Sequence, residues 1–116
     1  MHSIKKTKVF KLVYGSGRQA VNPFFVMYVR KNDDDISRLG VTVSKKVGNA
    51  VIRNRVRRLV KESCRLRAFK IIKGYDIVIV ARKVVGTLPR EESFYKVDKS
   101  LEQLFRKLQL ISPEEI

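Results

Sequence analysis

A dense block of positive charge limits the folds open to this chain. Residues 45–70 contain ten lysines and arginines against a single acidic residue, Glu62. When the segment after Asn49 is turned by about 100° per residue, its apolar side chains fall on one side. These are Ile52, Val56, Leu59, Val60 and Leu66. The segment therefore predicts an amphipathic helix that packs on a sheet and leaves its cationic side in solvent.

The cationic side of this helix, with the turn before it, predicts a phosphate-binding surface. Guanidinium groups grip phosphate oxygens at two points, and a helix N-terminus favours anions through its free N–H groups and dipole. Asn49 is also the expected N-cap of the helix. A simply solvated polar face is the alternative. The candidate residues are Lys45, Lys46, Asn49, Arg53, Asn54, Arg55, Arg57, Arg58, Lys61 and Arg65.

Length and net charge define the class of protein and partner. The 116 residues carry a formal charge of +15, which predicts a single domain (1–116) that associates with nucleic acid rather than with an acidic membrane. Apolar runs such as Ile77–Ala81 are far too short to cross a bilayer. The N-terminus lacks the pattern of a secretion signal, so a cytoplasmic location is expected. The lone Cys64 is expected to be structural, without a metal.

Three segments predict strands. Phe24–Val29 and Leu39–Ser44 are rich in β-branched or aromatic residues and are predicted to pair antiparallel with each other. Tyr75–Ala81 gives the strongest pattern of a buried strand.

Two further helices complete the predicted elements. A short helix is expected to be capped by Thr7, and a final one by Ser93. The order is helix, strands, basic helix, strand and helix, without internal repeats, and it predicts a compact α+β sandwich.

Aromatic residues mark a second candidate surface. Phe10, Tyr14 and Tyr28 are placed to line a cleft between the first helix and the sheet, where unpaired bases could stack. Their spacing also suits a hydrophobic core, which remains the alternative, especially for Phe10. Arg82 and Lys83 follow the buried strand and either reach RNA from a loop or serve as ordinary surface charges.

The segment Gly40–Arg55 resembles the signature of the protein subunit of bacterial ribonuclease P, which is named for its Arg-Asn-Arg. Further matches come in the same order as in that family. They are Lys5-Lys6-Thr7, Phe10, Tyr14, Gly15, Gly17, Asn22, Tyr75–Lys83 and Lys99-Ser100-Leu101.

The resemblance implies a fold and a role. The fold would be an αβββαβα sandwich with a central four-stranded sheet and a left-handed βαβ crossover, against the usual right-handed rule. The catalytic centre would be built by a large RNA, whose Mg²⁺ ions are held mainly by RNA, and the protein would not cleave by itself. The protein would bind that RNA and the 5′ leader of precursor tRNA. The leader cleft would comprise Phe10, Tyr14, Asn22, Tyr28, Arg82 and Lys83.

Two other functions are compatible with parts of the sequence. A ribosome-associated or general RNA-binding protein would explain the charge but not the aromatic cleft or the signature. A stand-alone metal-dependent nuclease would need clustered carboxylates. Asp33, Asp34 and Asp35 are the nearest approach to such a cluster, and three adjacent acids in a turn are usually solvated.

Overall fold

A computed structural model of the chain describes residues 1–111, except for the side chain of Ser16. The end of the predicted 1–116 domain, residues 112–116, therefore lies outside the described residues. The elements are β1 (His2–Ser3), α1 (Thr7–Ser16), β2 (Arg18–Val21), β3 (Phe25–Lys31), β4 (Arg38–Thr42), α2 (Ala50–Leu66), β5 (Tyr75–Ala81) and α3 (Arg90–Lys107). Short 3₁₀ turns cover Ala68–Lys70 and Lys83–Thr87. The α+β class is confirmed, with the short β1 added ahead of the αβββαβα order.

The five strands form one sheet in the order β1-β4-β5-β3-β2. β5 pairs parallel with β4 and antiparallel with β3. The predicted antiparallel pairing of Leu39–Ser44 with Phe24–Val29 is wrong, because β5 lies between these strands. A strand that is apolar on both faces needs a neighbour on each side and cover above and below, so it takes the central position. The β4-α2-β5 unit is a parallel crossover, whose left hand stays a prediction.

The two faces of the sheet carry unequal cover. The face formed by Phe25, Met27, Val29, Ile77 and Ile79 packs with α2 and α3 into the main core. The opposite face forms a smaller cluster, in which Ile4, Val13 and Val78 are buried. α1 supplies most of the helical cover there and has 10 residues, against 17 in α2 and 18 in α3. Part of this second face is therefore left open.

Three details of the helices differ from expectation. Leu66 is 49% exposed rather than packed on the sheet, because Ser63 and Cys64 take the inward positions in the last turns of α2. Thr7 is the first residue of α1 and not its cap, a position held by Lys6. Ser93 is not a cap either: α3 begins at Arg90, and the Ser93 hydroxyl donates to the Arg90 carbonyl.

A charged network joins the end of α2 to α3. Arg67 Nη1 donates to Asp98 Oδ1 at 2.7 Å, and Arg67 Nε donates to Glu102 Oε1 at 3.0 Å. Ser63 Oγ donates to the same Asp98 oxygen at 2.6 Å. The hydrogen bond from Arg67 holds the pKa of Asp98 below its usual value. Because the Arg67 side chain is only 12% exposed, this network stabilises the packing of the two helices.

Replacing Arg67 with Met should lower the free energy of unfolding by about 2 kcal/mol, because Asp98 loses its cation and Glu102 keeps only Arg106. A carboxyl whose folded-state pKa is depressed stabilises the fold above its unfolded-state pKa, and that contribution is lost as pH falls through the folded-state value. The difference between the two proteins should therefore shrink in acid. Urea denaturation of both proteins, at neutral pH and at a pH below the usual carboxyl pKa, measures this difference in the free energy of unfolding. The control, Arg65→Met, breaks an exposed pair with Glu62 and should leave stability unchanged.

Candidate nucleic-acid interface

The loop between β4 and α2 presents two lysines to solvent. Val43 and Val47 are buried and anchor the loop, whereas Lys45 and Lys46 are exposed between them. Gly86 in the 3₁₀ turn after β5 lies so close that a Cβ there would stand 1.9 Å from the carbonyl oxygen of Val47. The alternation of apolar and basic residues thus fixes the loop on the core and directs both ammonium groups outward.

The loop leads directly into the N-terminus of α2. Asn49 is the N-cap, and its Oδ1 accepts a hydrogen bond from the Ile52 N–H at 3.0 Å. This confirms the predicted cap. One cap bond leaves other N–H groups of the first turn unsatisfied within the helix. The two lysines and the positive end of the helix dipole therefore lie together, as an anion site requires.

The outer side of α2 is cationic along most of its length. Asn54, Arg58, Lys61 and Arg65 are exposed, and Arg53, Arg55 and Arg57 are half-buried at the margins. Helical periodicity predicts this distribution except at Arg57, which is expected on the outer side with Asn54 but is half-buried. Within the described part of the chain, the side chains of Arg58 and Lys61 form no hydrogen bond or ion pair, so both charges are available to a partner.

The arginines at the margins differ in how they are held. Arg57 Nη1 donates to Asn54 Oδ1 at 3.0 Å, which fixes its guanidinium beside the exposed face. The Nε atoms of Arg53 and Arg55 are shielded from solvent and have no hydrogen-bond partner among residues 1–111. Among the described residues neither guanidinium forms an ion pair, so both keep their positive charge for a partner. Arg65 is the weakest member, because Glu62 already binds its guanidinium at 2.6 and 3.0 Å.

The predicted aromatic residues meet on the other side of the sheet. The ring centroids of Tyr14 and Tyr28 lie 4.9 Å apart in an edge-to-face arrangement, and those of Phe10 and Tyr14 lie 6.5 Å apart. Phe10 fits against Gly40, where a Cβ would come within 2.6 Å of its ring. The hydroxyls of Tyr14 and Thr42 share a hydrogen bond of 3.0 Å. Phe10 serves the minor core, whereas Tyr14 is exposed and Tyr28 half-buried.

Asn22 does not join this aromatic cluster. Its amide nitrogen donates to the Ser100 carbonyl and to Gln103 Oε1 in α3, and its Oδ1 accepts from the backbone N–H groups of Phe24 and Phe25. The side chain is buried, and these bonds tie the turn after β2 to α3. Asn22 therefore has a structural role, and RNA contact by its side chain would require breaking those bonds.

Arg82 and Lys83 lie at the same end of the sheet as the basic loop. β4 and β5 are parallel, with Thr42 opposite Val80, so the residues that follow each strand emerge together. Arg82 Nη1 donates to the Asn22 carbonyl at 3.0 Å, which holds this arginine near the turn after β2. Lys83 is exposed. The contact between Tyr14 and Thr42 places one end of the aromatic cluster at this edge too.

Sequence reasoning missed part of the exposed charge near α1. The structure adds exposed lysines at positions 5, 6, 8 and 11, before and within α1. It also adds Thr42, which binds Tyr14. Local lysine density could have indicated the first group. The role of Thr42 depends on strand pairing and could not be obtained from local pattern.

Residues 1–111 contain no group of three histidine, cysteine or carboxylate side chains placed to hold a metal ion. Asp33, Asp34 and Asp35 are exposed in the turn before β4, and Asp34 binds Arg38 at 2.9 Å. Over the same residues, no helix is long and apolar enough to span a membrane.

Comparisons with known proteins agree with this geometry. The family model Ribonuclease P matches residues 1–109. The ribonuclease P protein component of Alkaliphilus metalliredigens is 41% identical over 111 residues, covering 96% of both chains. That of Clostridioides difficile is 45% identical over 105 residues, covering 90% of this chain and 89% of the relative.

Solved structures show the same likeness. The Staphylococcus aureus RNase P protein superposes with a TM-score of 0.87 at 31% identity, covering 97% of this chain and 99% of the other. The Thermotoga maritima RNase P protein gives 0.78 at 35% identity, covering 91% and 97%. With a basic Arg-Asn-Arg helix and an aromatic cleft on opposite faces of the sheet, the chain belongs to the ribonuclease P protein family.

Proposed function

We propose that the chain binds the catalytic RNA of ribonuclease P and the 5′ leader of precursor tRNA, and thereby assists endonucleolytic removal of that leader. The observation that carries this proposal is the presence of two different surfaces meeting at one end of the sheet. The basic loop and α2 offer charge for phosphates, and the cleft offers aromatic rings for unpaired bases.

The basic loop and the outer side of α2 suit a folded RNA. Their cations lie on one rigid helix and its N-terminal turn, with few acids to neutralise them. Phosphate contacts of this kind supply affinity that falls steeply with salt and carry little sequence information. We assign assembly with the catalytic RNA to Lys45, Lys46, Asn49, Arg53, Asn54, Arg55, Arg57, Arg58, Lys61 and, most weakly, Arg65.

The cleft suits a single strand. Tyr14 and Tyr28 are partly exposed and stand edge to face, so at least one ring surface is open to a base. Stacking of this kind tolerates any base sequence, which is what a protein needs when the leaders of its substrates differ. The lysines near α1 supply charge for the phosphates of the same strand. We assign the leader to Tyr14 and Tyr28, with Phe10 as support and Arg82 and Lys83 at the end of the cleft.

We assign the chemical step to the RNA. The protein's single histidine, His2, is exposed in a two-residue edge strand. Burial raises the pKa of the Cys64 thiol to about 12, so it is a poor nucleophile. Neither has the positioned base or acid that nucleophilic or acid–base catalysis requires. Mg²⁺ would be held mainly by the RNA, and the protein would act in the cytoplasm, where tRNA precursors are made.

Reconstitution tests the proposal. Single-turnover cleavage of precursor tRNA at low magnesium should be slow with catalytic RNA alone, absent with protein alone, and strongly accelerated by both together. The physical reason is that the protein adds leader contacts and neutralises phosphate repulsion that magnesium would otherwise screen. Unaccelerated cleavage would leave a general RNA-binding protein, and cleavage by protein alone would overturn the assignment of chemistry to RNA.

The two surfaces should separate in mutants. Tyr28→Leu should weaken binding of precursor tRNA to the holoenzyme about tenfold, within the range for one stacked base, and leave mature tRNA binding and catalytic-RNA assembly unchanged.

The double variant Arg58→Ala, Lys61→Ala should instead weaken assembly with the catalytic RNA. It should also lower the slope of log affinity against log salt by about 1.5, as two phosphate contacts are lost. Fluorescence titration over a salt series measures both effects.

Tyr28→Phe is the matched control, since it keeps the ring and should retain leader affinity. Thermal melting of each variant separates loss of contact from loss of fold. A Tyr28→Leu protein that binds precursor and mature tRNA with the wild-type ratio would show that Tyr28 belongs to the core and not to the leader site.

A further inference from the structure

A second groove lies on the opposite side of the sheet from the aromatic cleft. It runs between the turn that joins β2 to β3 and the outer surface of α3, with a volume of about 480 Å³. Its walls are largely apolar and include Pro23, Phe24 and Tyr95. This size falls within the usual range of small-ligand sites. None of the surfaces assigned above uses this groove.

Tyr95 is placed in the groove as an open aromatic surface. It is 63% exposed on α3, so its ring contributes little to the core. Lys99 lies one helical turn later, with its Nζ 5.3 Å from the ring centroid. This cation–π contact limits the motion of the ring. A large aromatic side chain that is exposed and pre-positioned is a feature of stacking sites.

The charge around the groove is positive. Lys96 and Lys99 line it, and no carboxylate of residues 1–111 does. Lys96 binds Glu92 at 3.2 Å on the exposed surface, whereas Lys99 has the ring of Tyr95 as its neighbour. Arg82 is held close to the turn by the Asn22 carbonyl. An aromatic surface with cations beside it complements the base and phosphate of an unpaired nucleotide.

The groove can be reached from the cleft around the β2 edge of the sheet. The cleft crosses the sheet from Thr42 on β4 to Tyr28 on β3, which is two strand spacings or about 10 Å. Beyond β3 lies the edge strand β2, and the turn from β2 to β3 carries Pro23 and Phe24. A single strand that leaves the cleft at Tyr28 first meets Gln19 on β2. It reaches the turn, with Arg82 beside it, and then the groove by following β2 past Val21.

We propose that this groove binds a nucleotide of the leader that lies beyond the part held in the cleft, with its base stacked on Tyr95 and its phosphate near Lys99. The inference rests on the proposed function, because it requires a leader in the cleft. It adds a second leader site, on α3, that only longer leaders can reach.

The test uses the reconstituted holoenzyme and two precursor tRNAs, one with a leader that ends within the cleft and one with a longer leader. The double variant Tyr95→Ala, Lys99→Ala should weaken binding of the long-leader substrate about tenfold. Binding of the short-leader substrate and assembly with the catalytic RNA should not change. The fluorescent base 2-aminopurine can be placed at each position of the long leader in turn. The stacking signal that it gives with the wild-type protein should be lost with the double variant at one distal position only.

Two single variants sharpen the result. Tyr95→Phe keeps the ring and should bind the long leader as the wild type does. Phe69→Ala removes another aromatic residue, which is 82% exposed with Lys70 Nζ 5.7 Å from its centroid, but which lies after α2 and outside the groove. It should have no effect on either substrate.

Three outcomes would overturn the inference: equal affinity of the double variant and the wild type for the long leader, an equal loss for both leader lengths, or a loss of catalytic-RNA assembly. The last would indicate that the groove serves the catalytic RNA instead. In each case, protein-dependent acceleration of short-leader cleavage would still support the proposed function, so the two proposals fail separately.

Discussion

The burial of β5 on both faces determines most of this structure. Ile77 and Ile79 point to one side of the sheet and Val78 to the other, and all three are fully buried. Such a strand must have paired neighbours and a layer of side chains above and below it. The chain has two long helices for one layer and the short α1, with Ile4, for the other. The cleft is the part of the α1 face that no helix covers. It therefore exists because this face has less helical cover than the face packed against α2 and α3.

The same strand also brings the charged segments together. Because β4 runs parallel to β5, the basic loop after β4 and the pair Arg82-Lys83 after β5 leave the sheet at one end. α2 then packs on the face of the sheet that holds the main core, so its cations lie on the opposite side from the cleft. The basic surface and the aromatic cleft are thus separated by the sheet yet meet at one end of it, as the proposed contacts with two RNA segments require.

Local pattern predicted the elements but not all of their relations. Tyr75–Ala81 and the Asn49 cap agree with the structure because a buried strand and an N-cap depend on neighbouring residues in sequence. The predicted pairing of β3 with β4 was wrong because several strands suit an apolar strand equally well as neighbours. The choice depends on which strand occupies the centre of the sheet, and that strand is β5. The structural role of Asn22 could not be predicted from local sequence either, because its partners Ser100 and Gln103 lie 78 and 81 residues away along the chain.

The concentrated positive charge of α2 opposes its packing on the sheet. Its cations repel one another, and solvent screens this repulsion only partly over the few ångströms that separate neighbours. The inward side of α2 offsets the repulsion by packing Val56, Val60 and Cys64 into the main core. Arg67, just after the helix, adds ion pairs to Asp98 and Glu102 of α3. Most of the remaining cations stay free of internal acids. The acids that could have neutralised them lie mainly on α3 and in the turn before β4, so the field of α2 is preserved for a polyanion, at a cost in the stability of the free protein.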